Sequence, residues 1–139
     1  MPALRLAVFD MDGTLLDSLP DLAECCRALL AECGLPPLSD AQVRTMIGNG
    51  VQALVERALQ AGLAQKAKES GTMPVLALST EEAVSRFMAA YTPRATRLSR
   101  LFCGAEEALH SLHAQNWKLA VCTNKPEQAA RRILADFNL

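Results

Sequence analysis

Short apolar runs and long stretches of helical spacing divide this chain between them. Leu4, Leu6, Ala7, Val8 and Phe9, with Arg5 as the one charge, form an apolar run that ends at Asp10. Residues 4–10 are therefore expected to form a buried strand. A turn holding Gly13 follows. From about Asp17 to Cys33 the apolar positions Leu19, Leu22, Cys26, Leu29 and Cys33 recur every three or four residues, the spacing of one buried helical face. Gly34 ends that helix and Pro36-Pro37 prevent its resumption. Ser39 with Gln42 is a capping box opening a short helix to Ile47, broken by Gly48-Asn49-Gly50. Val51, Leu54, Val55, Ala58 and Leu59 mark a further amphipathic helix ending near Gly62, with a short polar helix over 64–70. Residues 71–79 read as a loop. Ser79 with Glu82 is a second capping box, and its helix carries Val84, Phe87, Met88 and Tyr91 inward until Pro93.

Residues 94–103 show no period, and a helix is expected over 104–115. Lys118-Leu119-Ala120-Val121-Cys122-Thr123 is the second strand. Asn124 is positioned to cap a last helix to Asp136, with Pro126 near its first turn. Two strands of parallel-sheet type thus bracket a long helical middle. The pattern predicts an α/β core formed by 1–16 and 96–139, with a helical insertion over 17–95.

Composition narrows the classes. The chain has 139 residues, half of them hydrophobic and 21% charged, enough apolar material for one ordinary core. Fourteen basic and fifteen acidic residues give a net charge of −1, without the basic stripe of a nucleic-acid binder. No apolar run approaches the roughly 18 residues of a membrane span. Met1-Pro2-Ala3-Leu4-Arg5 lacks the apolar region of a secretory signal, so the expected location is cytoplasmic. The five cysteines, Cys25, Cys26, Cys33, Cys103 and Cys122, are odd in number and lack CxxC spacing. They are read as reduced apolar fillers. His110 and His113 share a helix face but lack a third metal ligand, and are expected in solvent. Trp117 is expected in the core, and Glu106-Glu107 in a solvated first turn.

The candidate chemistry lies where the first strand ends, in Phe9-Asp10-Met11-Asp12-Gly13-Thr14. Carboxylates two apart in a strand-to-turn segment point the same way and repel unless a cation neutralises them. Magnesium, a hard cation taking oxygen ligands, answers that need. One carboxylate can then attack phosphorus while the other protonates the leaving oxygen and later activates water. Gly13 permits a sharp turn whose amides can face a phosphate, and Thr14 can fix that turn by hydrogen bonding. Val121-Cys122-Thr123-Asn124-Lys125-Pro126 ends the second strand with a hydroxyl, an amide and a helix N-terminus, a setting suited to an anion.

The segment FDMDGTLLDSLPDLA resembles the first motif, hhhhDxDGT, of the haloacid dehalogenase superfamily, and within it the phosphoglycolate phosphatases. The resemblance implies a parallel Rossmann-like sheet with an inserted helical cap. It implies a magnesium-dependent phosphatase of a small phosphorylated metabolite, 2-phosphoglycolate, working through an aspartyl-phosphate. Asp10 matches the nucleophile and Asp12 the general acid/base. The Asp10 side chain and the Asp12 backbone carbonyl match magnesium ligands. Thr123, in a TNKP typical of these phosphatases, matches the residue binding the transferring phosphoryl group, with Asn124 as a backbone donor. Lys125 is read either as a charge on the phosphate side or as a surface lysine. The segment 44–50 resembles part of a cap facing the active site, and Asp17-Ser18 falls at the hinge.

The family pattern continues with a lysine motif and an acidic GDxxxD-like motif that residues 1–139 do not contain. Asp10 and Asp12 are accordingly expected in a half-built metal site, and the first strand at an open apolar edge prone to self-association. The alternatives to the phosphatase are a truncated, inactive module binding phosphate or a protein partner, and a sugar-phosphate mutase using the same two aspartates.

Overall fold

The computed structural model describes residues 3–139; the first two residues of the N-terminal reading lie outside them. Strand β1 (Leu6–Phe9) pairs in parallel with β4 (Lys118–Val121), Leu6 opposite Lys118 and Phe9 opposite Val121. A second, two-residue antiparallel pair joins β2 (Leu16–Asp17) to β3 (Arg100–Leu101). Between them run α1 (Leu19–Glu32), α2 (Asp40–Arg44), α3 (Val51–Ser70), α4 (Thr80–Tyr91) and a 3-10 turn, Thr92–Arg94. Helices α5 (Ala105–Ala114) and α6 (Glu127–Asp136) flank β4 in sequence. The α/β class follows from the pattern of the chain, but β2 and β3 do not: two-residue strands are too short to show a period.

The core is helical. Leu22, Cys26, Leu29 and Leu30 of α1 pack with Val55, Ala58 and Leu59 of α3 and with Phe87 and Tyr91 of α4. Phe87 and Tyr91 stack with ring centroids 5.8 Å apart. At Ser39 the capping box forms in full: its hydroxyl accepts the Gln42 amide and the Gln42 side chain accepts the Ser39 amide. The second box is half formed. Ser79 accepts the Glu82 amide at 3.2 Å, but the Glu82 carboxylate turns outward to Arg86 at 2.9 Å.

The helix stop expected at Gly62 does not occur; α3 continues to Ser70 and ends on Gly71. Gly62 serves close packing instead. A Cβ there would lie 2.8 Å from Leu30 Cδ2 and 3.3 Å from Leu35 Cβ, so any larger residue would have to displace these two side chains. α2 is shorter than expected, ending at Arg44.

β1 is not the buried strand its composition suggests. Ala7 and Phe9 are half-buried, whereas Leu6 and Val8 are each 56% exposed and Leu4 79%. Among the described residues this sheet has two strands, and both alternate exposed with half-buried positions, so every second apolar side chain faces water. Trp117 is half-buried rather than core, with the Arg5 guanidinium 5.7 Å from its ring. His110, His113, Glu106 and Glu107 are exposed. All five cysteines are free. Cys25 and Cys26 are buried, and burial pushes their thiols up to about 11 and about 12. Cys103 and Cys122 are exposed and fill nothing. Among the described residues no helix is long and apolar enough to cross a membrane.

Candidate active site

The parallel pairing of β1 with β4 brings the two candidate segments together. The ladder continues past both strands through the Cys122 amide, which donates to the Phe9 carbonyl at 2.8 Å. Asp10 and Thr123 therefore leave the carboxyl ends of adjacent strands, where ligand sites form in α/β sheets. Asp10, Asp12, Thr123, Asn124 and Lys125 line one cavity. Its remaining wall comes from the helical layer, with Ile47, Gly48, Gly50, Met88 and Tyr91 among the residues on it.

The turn after β1 is built on one carbonyl. Met11 O accepts the amides of Thr14, Leu15 and Leu16 at 3.0–3.1 Å, and the Gly13 amide donates to Leu16 O at 2.9 Å. Gly13 sits at φ +80°, which a residue with a Cβ rarely adopts. The amides of 13–16 are thus consumed inside the turn and do not face an anion. No side-chain bond of Thr14 fixes the turn among the described residues; the Met11 carbonyl does that. The outcome is a rigid loop presenting Asp10 to solvent, with its Oδ1 accepting the Met11 amide at 2.8 Å.

Asp12 is more enclosed. Its side chain is 14% exposed, and its Oδ1 lies 3.2 Å from Lys125 Nζ, an ion pair without hydrogen-bond geometry. Lys125 is not a surface lysine: its side chain is 4% exposed. Burial draws its amine below the usual lysine value, and the Asp12 charge opposes that shift. Nζ also lies 4.7 Å from the centroid of the Tyr91 ring, a cation–π arrangement.

Thr123 Oγ1 accepts the Lys125 amide at 3.1 Å, which shapes the turn and leaves the hydroxyl proton free to donate. Asn124 does not cap α6; Pro126 holds that position. The Asn124 side-chain amide instead donates to Gly48 O at 3.0 Å, joining the β4 loop to the turn at 48–50. Gly50, at φ +90°, faces Asn124 O so closely that a Cβ would stand 3.3 Å from it. Arg57 of α3 holds this turn through Met46 O and Asn49 Oδ1, at 3.1 and 2.9 Å. Arg44 is exposed and does not line the cavity.

Two features escaped the sequence reading. Tyr91 was recognised only as an inward helical residue, yet it forms part of the site. Asp21 of α1 is fully buried and accepts three hydrogen bonds on Oδ2: from the Leu98 and Ser99 amides and the Ser99 hydroxyl, at 2.7–2.9 Å. Arg94 pairs with both Asp21 and Glu24. Burial alone would raise the Asp21 carboxyl, but the Ser99 and Leu98 bonds and the Arg94 charge outweigh it and hold the group below its ordinary 3.8. Its signal was the helical spacing to buried Cys25, four residues on. Asp17, placed at the hinge, lies in β2 opposite Arg100, and Ser18 holds the α1 N-cap position without a side-chain cap bond.

Two aspartates at the end of a parallel strand thus stand beside a threonine at the end of its neighbour. The chain belongs to the haloacid dehalogenase-like hydrolase family, whose model matches residues 7–139. It is 41% identical over 132 residues to a phosphoglycolate phosphatase of Cereibacter sphaeroides, covering 95% of this chain and 56% of that protein. A phosphoglycolate phosphatase of Rhodospirillum rubrum is 39% identical over 138 residues, with 54% of its length covered. The chain spans about half the length of the curated relatives it matches. Among solved structures, a protein described as a predicted phosphoglycolate phosphatase from Haemophilus somnus superposes with a TM-score of 0.84 at 34% identity, over 98% of this chain and 58% of that one. Protein tyrosine kinase A of Mycobacterium tuberculosis also superposes, with a TM-score of 0.71 at 29% identity, over 97% and 55%. Differently named activities share this fold, so the site must carry the functional argument.

Proposed function

We propose that this chain carries the nucleophile and the proton-transfer group of a magnesium-dependent phosphomonoester hydrolase acting on a small phosphorylated metabolite, 2-phosphoglycolate. The observation that supports it best is the convergence of Asp10, Asp12, Thr123 and Lys125 on one cavity between the sheet and the helical layer. The names of the relatives point the same way. In this reading residues 17–95 act as a cap over a core of 1–16 and 96–139.

Exposed Asp10 attacks phosphorus as the bond from phosphorus to the leaving oxygen breaks, and Asp12 gives that oxygen a proton. Asp12 then takes a proton from water, whose oxygen attacks the aspartyl-phosphate, freeing Asp10 and inorganic phosphate. The free Thr123 hydroxyl proton donates to a phosphoryl oxygen, and the Asn124 backbone amide is a second donor. The Lys125 ammonium lends positive charge from behind Asp12.

The donor set suits magnesium. Asp10 is exposed, and no described hydrogen bond ends on the Asp12 carbonyl, so a carboxylate and a carbonyl oxygen are available. Magnesium commonly takes one or two carboxylates and completes its shell with water and phosphate. When bound, it would neutralise charge on the phosphoryl group.

A second reading is a phosphate-binding module without turnover. It rests on the same cavity, where the Thr123 hydroxyl and the Asn124 amide can hold a phosphoryl group whether or not Asp10 reacts. One assay separates the two: hydrolysis of phenyl phosphate and 2-phosphoglycolate by the 139-residue chain, with and without magnesium. The enzyme reading expects metal-dependent turnover that Asp10→Asn abolishes and Asp12→Asn lowers by about 10²–10⁴-fold. Phosphate binding without turnover would favour the module.

A further inference from the structure

Lys125 presents a problem of burial. Its side chain is only 4% exposed, and an ammonium so removed from water is costly unless it is held. Two groups from different parts of the fold hold it. Asp12 Oδ1, from the turn after β1, lies 3.2 Å from Nζ; the Tyr91 ring, at the end of α4, lies 4.7 Å away. The Thr123 hydroxyl fixes the turn from which the lysine departs.

Each partner has a matching deficiency. Asp12 Oδ1 is buried and accepts no hydrogen bond, so the ammonium is its described neutralising contact. Tyr91 is 1% exposed and its hydroxyl has no partner, so what it offers this site is its ring. A substrate anion reaching for Lys125 would have to compete with Asp12 for an ammonium already enclosed. That argues against a direct substrate contact and for an action through Asp12.

We propose that Lys125, clamped beneath Tyr91, is a positioning residue for Asp12, so that docking of the α4 terminus onto the 123–126 turn sets the orientation of the proton-transferring carboxylate. Its catalytic consequence rests on the phosphatase reading above; its geometry does not. A carboxylate without hydrogen bonds on its buried oxygen has no other described group to select its rotamer. A displacement of about 1 Å in such a group can cost roughly 10²-fold in rate.

The test compares 2-phosphoglycolate, whose leaving group carries a carboxylate, with phenyl phosphate, whose leaving group carries none. Lys125→Met is expected to lower kcat by roughly 10–100-fold on both esters while KM changes little. Tyr91→Leu is expected to fall in the same direction on both, and Tyr91→Phe, which keeps the ring, to recover most of that loss. A KM increase confined to 2-phosphoglycolate would overturn the proposal, because it would make Lys125 a substrate-binding residue. Unchanged kcat in Tyr91→Leu would overturn it as well.

A second arm needs no turnover. In protein carrying ¹³C-labelled lysine, the Lys125 ε-methylene signal is expected upfield from the Tyr91 ring current. The shift should persist in Tyr91→Phe, vanish in Tyr91→Leu, and change in Asp12→Asn, with circular dichroism confirming that each variant is folded. If the unmodified chain hydrolyses neither ester, the phosphatase reading fails and this arm alone decides the coupling. A Lys125 signal at its solvent position, or one indifferent to both substitutions, overturns it.

Discussion

Asp21 ties two parts of the chain that are far apart in sequence. The carboxylate sits in the first turn of α1, and its donors, Leu98 and Ser99, lie 77 and 78 residues away. The first turn of α1 is thereby fastened to the segment that leads into β3. Asp21→Ala would leave two amides, a hydroxyl and part of Arg94 without their acceptor, and is expected to lower stability by about 3 kcal/mol in urea unfolding. The sign of the pH effect follows from the lowered carboxyl value. The contribution is complete above the ordinary 3.8 and disappears as pH falls through the lower folded value. Acid titration of unfolding should show this loss in the unmodified chain and a weaker one in Asp21→Asn. The placement of Asp10, Asp12 and Thr123 was legible in the sequence because each position follows directly from the end of its own strand. Asp21 and Tyr91 were not, because distant residues or an ammonium on another element determine what they do.

The helices with caps and periodic apolar faces could be placed from the chain alone, since hydrogen bonding and spacing within each segment suffice. Gly62 shows where that logic stops. A glycine followed by a polar stretch looks like a terminus, yet Gly62 packs against Leu30 and Leu35 inside a twenty-residue helix. Gly62→Ala tests the point. Helix propensity alone would favour alanine by about 1 kcal/mol. The clash with buried Leu30 and Leu35 is expected to outweigh this and leave a net loss of about 1 kcal/mol in thermal unfolding. A net increase in stability would show that the helix pair can relax apart. At Ser79 the ordinary capping rule holds, and Ser79→Ala is expected to cost about 1 kcal/mol in the same measurement.

For the whole molecule, the decisive feature is a parallel pair of strands with one uncovered face. Leu4, Leu6 and Val8 are exposed on β1, whose edge away from β4 has no described partner strand. The open edge was expected only through the family resemblance, and the loss of burial across β1 was not expected at all, because an apolar run does not reveal how many layers will cover it. Exposed apolar edges pair readily with other chains. We propose self-association through β1, measured by light scattering across a concentration series. Leu6→Lys with Val8→Glu is expected to shift the chain toward monomer; an unchanged mass would remove β1 from the interface. The free thiols, divided between surface and core, then supply a clock for the same molecule. Exposed Cys103 and Cys122 should react promptly with an alkylating reagent, while Cys25 and Cys26, enclosed in α1 and held as thiols near neutral pH, react only when the helical layer opens. Counting labelled sites against time by mass spectrometry thus reports how often the helical layer itself opens, with no ligand, no substrate and no introduced probe.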